Sequence, residues 1–191
     1  MNKQYALVTG ANRGIGKAIA TKLSENYTVI GTSTSGEGET KAVSIWLKAN
    51  FSTSEGIIDF LDLLMEQNEI KVLVNNAGIN IIKPQSDVTT DDFEKIKNIN
   101  LKAPYQIAQV LAEKMAKTGG GKIIHIASIW GVISKSHRSL YSTMKTGLIG
   151  TTRATAAEWA AQNVLINAVS PGFVETELTM SSLTEEEQEN M

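Results

Sequence analysis

The chain has 191 residues with 18 Lys and Arg against 20 Asp and Glu, a net charge of −2 that excludes the strongly basic balance of a nucleic-acid binder. Its 42% apolar content and 15 glycines match a globular domain, which at this length buries roughly 70% of its unfolded surface. Cysteine is absent, excluding a disulfide framework, a thiolate zinc site and a cysteine nucleophile, and no apolar run approaches a membrane span or forms a leader, so a cytoplasmic protein without membrane or nucleic-acid partners is expected.

Tyr5 to Val8 reads as a short strand, followed by Thr9-Gly-Ala-Asn-Arg-Gly-Ile-Gly16 and a helical pattern through Ile19, Ala20 and Leu23. Tyr27 to Ile30 reads as a second strand and Ser44 to Leu47 as a third, with a helix over Lys41 to Lys48 as the alternative. Only Ser33 to Val43 separates the second strand from the third, too little for a normal covering helix. After a cap at Ser52 or Thr53, Ile57, Ile58, Phe60, Leu61, Leu64 and Met65 form a helical stripe. Lys71 to Val74 is the fourth strand and runs into Asn75-Asn-Ala-Gly78. Asp91 to Ile99 and Pro104 to Met115 read as helices, with Pro104 in a first turn. Lys122 to Ala127 makes a fifth strand, Leu140 to Ala161 an alanine-rich helix, and Val164 to Val169 a sixth strand. Thr184 followed by Glu185-Glu-Glu187 reads as a capped helix start. Strands alternate with helices throughout, which predicts an α/β fold with a parallel sheet covered on both faces. No repeat, low-complexity tract or linker divides the chain, so residues 1–191 read as one domain.

Gly10, Gly14 and Gly16, between a strand and a helix, allow a tight turn and leave the helix N-terminus open to a pyrophosphate. Close packing alone would also explain such glycines. Tyr141 and Lys145 stand four apart on a helix and share a face. A phenol is a poor base near neutral pH, and a nearby ammonium would favour the phenolate. His125 alternates with Ile124 and Ile126 and reads as a hydrogen-bonded, partly buried residue. With His137 the only other histidine and no clustered ligand spacing, no metal site is expected. Trp130, Ile133 and Met180 border the substrate or serve as ordinary packing.

Thr9-Gly-Ala-Asn-Arg-Gly-Ile-Gly16, Asn75-Asn-Ala-Gly78, Ser128, Tyr141-Ser-Thr-Met-Lys145 and Pro171-Gly172 together resemble the short-chain dehydrogenase/reductase family, over essentially the whole chain. The closest likeness is to 3-oxoacyl thioester reductases, including Val29-Ile-Gly-Thr32 and Pro171-Gly-Phe-Val-Glu-Thr176. The resemblance implies a Rossmann-type doubly wound sheet and hydride transfer between a nicotinamide and a carbonyl carbon. In that scheme Tyr141 exchanges the proton on oxygen, Ser128 holds that oxygen, and Lys145 lowers the tyrosine's pKa while binding the nicotinamide ribose. Asn100 matches a fourth catalytic position that holds a water linked to Lys145, with Asn98 a nearby decoy. Gly10, Asn12, Arg13, Gly14, Ile15 and Gly16 would cradle the dinucleotide. Asn50 would lie near the adenine, and Asn76, Ala77 and Gly78 would line the ribose side, with bracing of the sheet as the alternative role for Asn75 and Gly78. Pro171, Gly172, Val174 and Thr176 would border the nicotinamide.

Gly31-Thr-Ser-Thr-Ser35 ends the second strand on hydroxyls with no carboxylate. Ser33, Thr34 and Arg13 can therefore receive a 2′-phosphate, and NADP(H) is the expected cofactor. Several departures from the family accompany these matches. Gln162 stands where carrier-protein reductases present an arginine, and Arg138 and Lys135 are either substitute charges or a solvated loop. The chain ends soon after Pro171-Gly172, where family members continue through further helices and a final strand, so a truncated or partly represented form lacking that C-terminal strand is expected. Two functions stand at this point, an NADP-dependent reductase of a small-molecule or acyl carbonyl acting as a homo-oligomer (dimer or tetramer), or a cofactor-binding regulatory or scaffold protein without turnover.

Overall fold

A computed structural model describes residues 3–67 and 69–180. β1 (Tyr5–Val8) sits at the centre of a sheet whose order is β3-β2-β1-β4-β5-β6, with β2 at Thr28–Ser33, β3 at Ile45–Lys48, β4 at Ile70–Asn75, β5 at Gly121–Ile126 and β6 at Val164–Val169. Every pairing is parallel. The chain moves outward from β1 to β3, returns to lay β4 on the other side of β1, and continues outward, which is the doubly wound Rossmann-type arrangement. The order reverses between β1 and β4, and the carboxyl ends of those strands flank a crevice.

Alternation within the strands divides the core. Leu7, Ile30, Leu73 and Ile123 point to one face, where they meet Ile57, Phe60 and Leu64 of α2 (Ser54–Met65) and Ile107, Leu111 and Met115 of α4 (Ala103–Lys117). Phe51 meets Phe60 edge to face at 5.1 Å. Ala6, Val8, Val29, Val72 and Val74 point the other way, against Ala20 of α1 (Gly14–Leu23). Each fully buried Leu, Ile or Phe contributes roughly 1.5–3 kcal/mol, so both helical layers are fastened by the sheet's own period of two.

Residues 45–48 form a strand, and the alternative helix over Lys41 to Lys48 does not occur. The open edge of β2, which runs three residues past the expected Ile30, offers its backbone groups to Ile45–Lys48, and eleven intervening residues leave no helix between them. α2 is capped by Thr53, whose hydroxyl accepts from the Gly56 amide at 3.0 Å, and not by Ser52. α3 (Thr90–Lys97) starts with a reciprocal cap between Thr89 and Asp92. The two helices expected on either side of residue 100 are joined by a π-helical stretch, Asn98–Lys102. α5 (Ser139–Trp159) carries the Tyr141 and Lys145 pair, and the short α6 (Glu177–Met180) follows β6. The helix expected from Thr184 lies outside the described residues. Among the described residues β6 is an edge strand, and no helix is long and apolar enough to cross a membrane.

Candidate active site

Beyond the carboxyl ends of β1, β4 and β5 the crevice opens into a cleft of about 510 Å³, within the size range of ligand sites. Its floor is the glycine loop, laced to the neighbouring strand end. The Thr9 hydroxyl accepts from the amides of Asn76 (2.9 Å) and Ala77 (3.0 Å), and Asn76 Nδ2 donates to the carbonyls of Thr9 and Gly10 at 3.0 and 3.1 Å. Gly10 has φ +66°, and a Cβ there would sit 3.1 Å from Ala77 Cα. A Cβ on Gly16 would overlap the Gly10 carbonyl oxygen. α1 therefore begins tight against the loop, and no side chain caps its N-terminus. Free amides at a helix start, a backbone stripped of side chains and an adjacent elongated cleft fit the diphosphate of a dinucleotide.

Gly10, Asn12, Arg13, Ile15, Asn76, Ala77 and Gly78 line the cleft, whereas Gly14 and Gly16 do not. Gly14 faces Thr176, which lines the opposite wall with Pro171, Gly172 and Val174. At the β2 end Ser33, Thr34 and Asn50 line the cleft. The Ser33 hydroxyl is engaged in its own turn, donating to the Glu37 carbonyl at 2.6 Å and accepting from the Gly36 and Glu37 amides at 3.0 Å. Asn50 Oδ1 accepts from the Ser52 amide and hydroxyl. Arg13 Nη1 lies 3.0 Å from Glu177 Oε2 in an exposed ion pair across the cleft mouth.

At the other end Ser128, Tyr141 and Lys145 converge. Ser128 lies two residues beyond the end of β5, and one turn of α5 puts Tyr141 and Lys145 on the same side, with Lys145 Nζ 5.6 Å from the centre of the Tyr141 ring. Lys145 Nζ donates to the Ile126 carbonyl at 2.7 Å, and burial pulls its pKa down from 10.5 to about 8. Burial pushes the Tyr141 hydroxyl above its usual value, opposed by a hydrogen bond with Ser128 and by the charge of Arg138. The direction is opposite to that expected for a tyrosine beside an ammonium, because desolvation of the phenolate outweighs the nearby charges. Asn100 does not line the cleft. Its Oδ1 accepts from the Ile79 amide at 2.9 Å and its Nδ2 donates to the Ile79 carbonyl at 2.8 Å, so it holds the irregular segment after Gly78 as a neighbouring backbone would. A Cβ on Gly78 would come within 3.5 Å of Asn100 Oδ1 and 3.7 Å of Lys145 Nζ, which locates all three groups at one point.

Asn75 braces the sheet, donating to the Pro104 carbonyl at 3.1 Å and lying 3.2 Å from His125 Nδ1. His125 is fully buried. Trp130 lines the cleft, while Ile133 and Met180 are exposed and do not. Sequence reasoning passed over Thr9 and Thr32. The Thr32 hydroxyl accepts from the Gly10 amide at 3.0 Å, and a hydroxyl at the end of each of two strands flanking a glycine turn was the available signal. Phe51, Ile79, Asn80 and Phe173 are further lining residues with no signal in local pattern. Arg138, at the start of α5, is buried and not part of a solvated loop, while Lys135 is exposed.

A family model described as short chain dehydrogenase matches residues 4–187. The chain is 40% identical over 190 residues to the 3-oxoacyl-[acyl-carrier-protein] reductase of Aquifex aeolicus, covering 92% of this chain and 76% of that protein, and 39% identical over 188 residues to that of Vibrio harveyi, covering 92% and 75%. Among solved structures, 4-hydroxyisoleucine dehydrogenase complexed with NADH superposes with a TM-score of 0.82 at 31% identity, covering 94% of this chain and 80% of that one. A protein assigned as an NAD(P)-dependent gluconate 5-dehydrogenase from Beutenbergia cavernae, with NADP bound at low occupancy, gives 0.85 at 29% identity, covering 99% and 80%. Motif order, sheet order and these similarities agree, and the chain belongs to the short-chain dehydrogenase/reductase family of nicotinamide-dependent oxidoreductases.

Proposed function

We propose that residues 1–191 form one domain that interconverts a carbonyl and a secondary alcohol with NADP(H), as a cytoplasmic homo-oligomer. The observation that carries this reading is the convergence of Ser128, Tyr141 and Lys145, braced by Asn100, at one end of a cleft whose other end fits a dinucleotide. When bound, the nicotinamide supplies or takes the hydride at the carbonyl carbon. In the reducing direction Tyr141 gives its phenolic proton to the carbonyl oxygen while Ser128 holds that oxygen by a hydrogen bond. Lys145, anchored on the Ile126 carbonyl, carries positive charge below about pH 8, stabilises the phenolate left behind and binds the ribose. Asn100 acts through the Ile79 backbone, which it fixes beside Lys145.

Preference for NADP(H) is supported by Ser33 where a carboxylate would repel a 2′-phosphate, and by Arg13 at the rim, which exchanges Glu177 for the phosphate. The solved relatives include both an NADH and an NADP complex, so the coenzyme is settled by measurement. 3-Oxoacyl thioesters, named for the relatives in Aquifex and Vibrio, head the list of carbonyls to assay.

The experiment follows NADPH and NADH oxidation with a panel of carbonyl compounds, alongside dissociation constants for both coenzymes. Tighter NADPH binding and turnover are expected. Tyr141→Phe removes the transferable proton and keeps the ring, so turnover falls by roughly 10²-fold or more while coenzyme affinity changes by less than about threefold. Coenzyme binding without turnover on any carbonyl would favour a regulatory or scaffold protein, and equal or tighter NADH binding would overturn the coenzyme assignment.

A further inference from the structure

Four buried side-chain amide oxygens among the described residues accept no hydrogen bond, those of Asn75, Asn80, Asn98 and Gln106. Of these four residues only Asn80 lines the cleft. A buried acceptor without a donor is costly, and for Asn80 the cleft is the open space from which a partner can come. The nitrogen of the same amide is also without a partner among the described residues. Because the two ends of the amide have the same shape, a half-turn presents either one to the cleft without breaking a protein hydrogen bond.

Asn80 sits at the proton-exchanging end of the cleft. Two residues before it, a Cβ on Gly78 would come within 3.7 Å of Lys145 Nζ, and Asn100 pins Ile79 through both of its backbone groups. On either side of Asn80, Ile79 and Ile81 pack against the cluster of Ile96, Leu140 and Met144 that Tyr141 also joins. These neighbours fix the backbone and leave the Asn80 amide uncommitted. The other polar groups at this end already have tasks. Ser128 and Tyr141 are assigned to the reacting oxygen, Lys145 Nζ donates to the Ile126 carbonyl, and the Arg138 guanidinium rests over the Trp130 ring. Trp130 in turn meets Phe173 edge to face at 5.9 Å, which makes their part of the wall apolar.

We propose that Asn80 is a specificity-determining residue that reads a hydroxyl on the substrate, one or two carbons from the carbonyl, so that the substrate is a hydroxy ketone and the product a diol. This deepens the carbonyl-reductase reading and rests on it. A hydroxyl donates to Oδ1 and can also accept from Nδ2, whereas a second carbonyl, an ester, a thioester or a carboxylate only accepts and leaves the orphaned oxygen unmet. In the reduction the carbonyl carbon gains the hydride of the coenzyme and its oxygen gains the Tyr141 proton. The hydroxyl held by Asn80 is carried through unchanged.

The test uses NADPH and pairs of ketones in which a methyl replaces the hydroxyl: hydroxyacetone against butanone, 4-hydroxy-2-butanone against 2-pentanone, and α-hydroxyacetophenone against propiophenone. The wild-type chain should favour the hydroxy ketone in at least one pair by about tenfold or more in kcat/KM, because a site built to bond a hydroxyl rejects the analogue lacking it. A hydroxyl also activates a neighbouring carbonyl, so the change between variants assigns the recognition to Asn80. Asn80→Leu keeps the shape and removes the amide, and should lower the preference at least about tenfold, chiefly through KM for the hydroxy ketone. Asn80→Ser, which keeps a shorter hydrogen-bonding group, should give an intermediate preference. Melting temperature reports whether each variant has folded, and the wild-type preference stands without them. Equal or better use of the methyl analogues by the wild-type chain overturns the hydroxyl inference and leaves the reductase reading intact. Reduction of other carbonyls with none of the hydroxy ketones accepted does the same. A folded Asn80→Leu chain with an unchanged preference removes Asn80 from substrate recognition, and if its NADPH affinity has fallen about tenfold the amide belongs to the coenzyme site. If no member of any pair and no compound of the wider carbonyl panel is reduced, both readings fall.

Discussion

His125 shows how a single substitution-sized feature sets a chemical property of the whole chain. It stands in β5 with no exposed surface, touches Asn75, and feels the charge of Lys145. Burial first, and that charge second, hold its pKa down to about 4 against an ordinary 6.5. Between those values the unfolded chain binds a proton that the folded chain refuses. The stabilisation is therefore complete above pH 6.5 and is lost progressively as pH falls towards 4, by about 3 kcal/mol in all. Urea unfolding at pH 7 and pH 4.5 should show wild type losing about 2 kcal/mol more across this interval than His125→Thr, whatever the baseline stability of the variant. An equal loss in both would mean that His125 is protonated readily in the native protein. The alternation of His125 with isoleucines made its burial legible in sequence, and the four-residue spacing of Tyr141 and Lys145 made their shared face legible too. The inward turn of Arg138 was not, because it depends on the Lys83 backbone, distant along the chain, and on how the irregular stretch between Trp130 and Arg138 folds back.

Among the elements, the π-helical stretch Asn98–Lys102 has the most specific task. An extra residue in the turn rotates Asn100 out of the regular helical face and towards Ile79, where it satisfies one amide and one carbonyl with a single side chain. Asn98, two residues earlier, points elsewhere and donates to the Ser52 carbonyl at 3.1 Å. Asn100→Ala leaves both Ile79 groups without their partner and should destabilise the fold by roughly 1–3 kcal/mol in urea titration. A change below about 0.5 kcal/mol would show that the Ile79 segment keeps its place without Asn100. The motif marked Asn100 in sequence, but a local widening of helix is invisible to a 3.6-residue pattern, and two separate helices were the natural expectation. β3 was ambiguous for a related reason. Four residues, Ile-Trp-Leu-Lys, satisfy either period, and only the open edge of β2 decides between them.

For the whole molecule, α5 presents a surface poor in bulk. Among the described residues nothing lies within 4 Å of where a Gly150 Cβ would stand, and Gly147 and Thr151 border a shallow depression with Leu101 and Tyr105, the latter 46% exposed. Such a face permits close approach of a second helix, and we propose that copies of the chain associate through it. Sedimentation at micromolar concentration should give two or four times 20.7 kDa, and Gly150→Arg should shift the distribution towards the single chain. A purely 20.7 kDa wild-type species would remove this assembly.

The sheet order carries a consequence for how the molecule comes into being. β1 pairs with β4, so Tyr5 must find Ile70 before the central ladder exists, and no hairpin between neighbours can substitute for that meeting. Long loops must close before any such pairing is rewarded, so the β1–β4 pairing is a step with a high entropic cost. The crevice between β1 and β4 is created by that same step. A chain that has laid β1 against β2 and gone no further has a glycine loop without the Asn76 and Ala77 segment that is hydrogen-bonded to it. A cleft completed only by that topology binds coenzyme in the native state alone, so saturating coenzyme stabilises the native state over the unfolded chain by mass action.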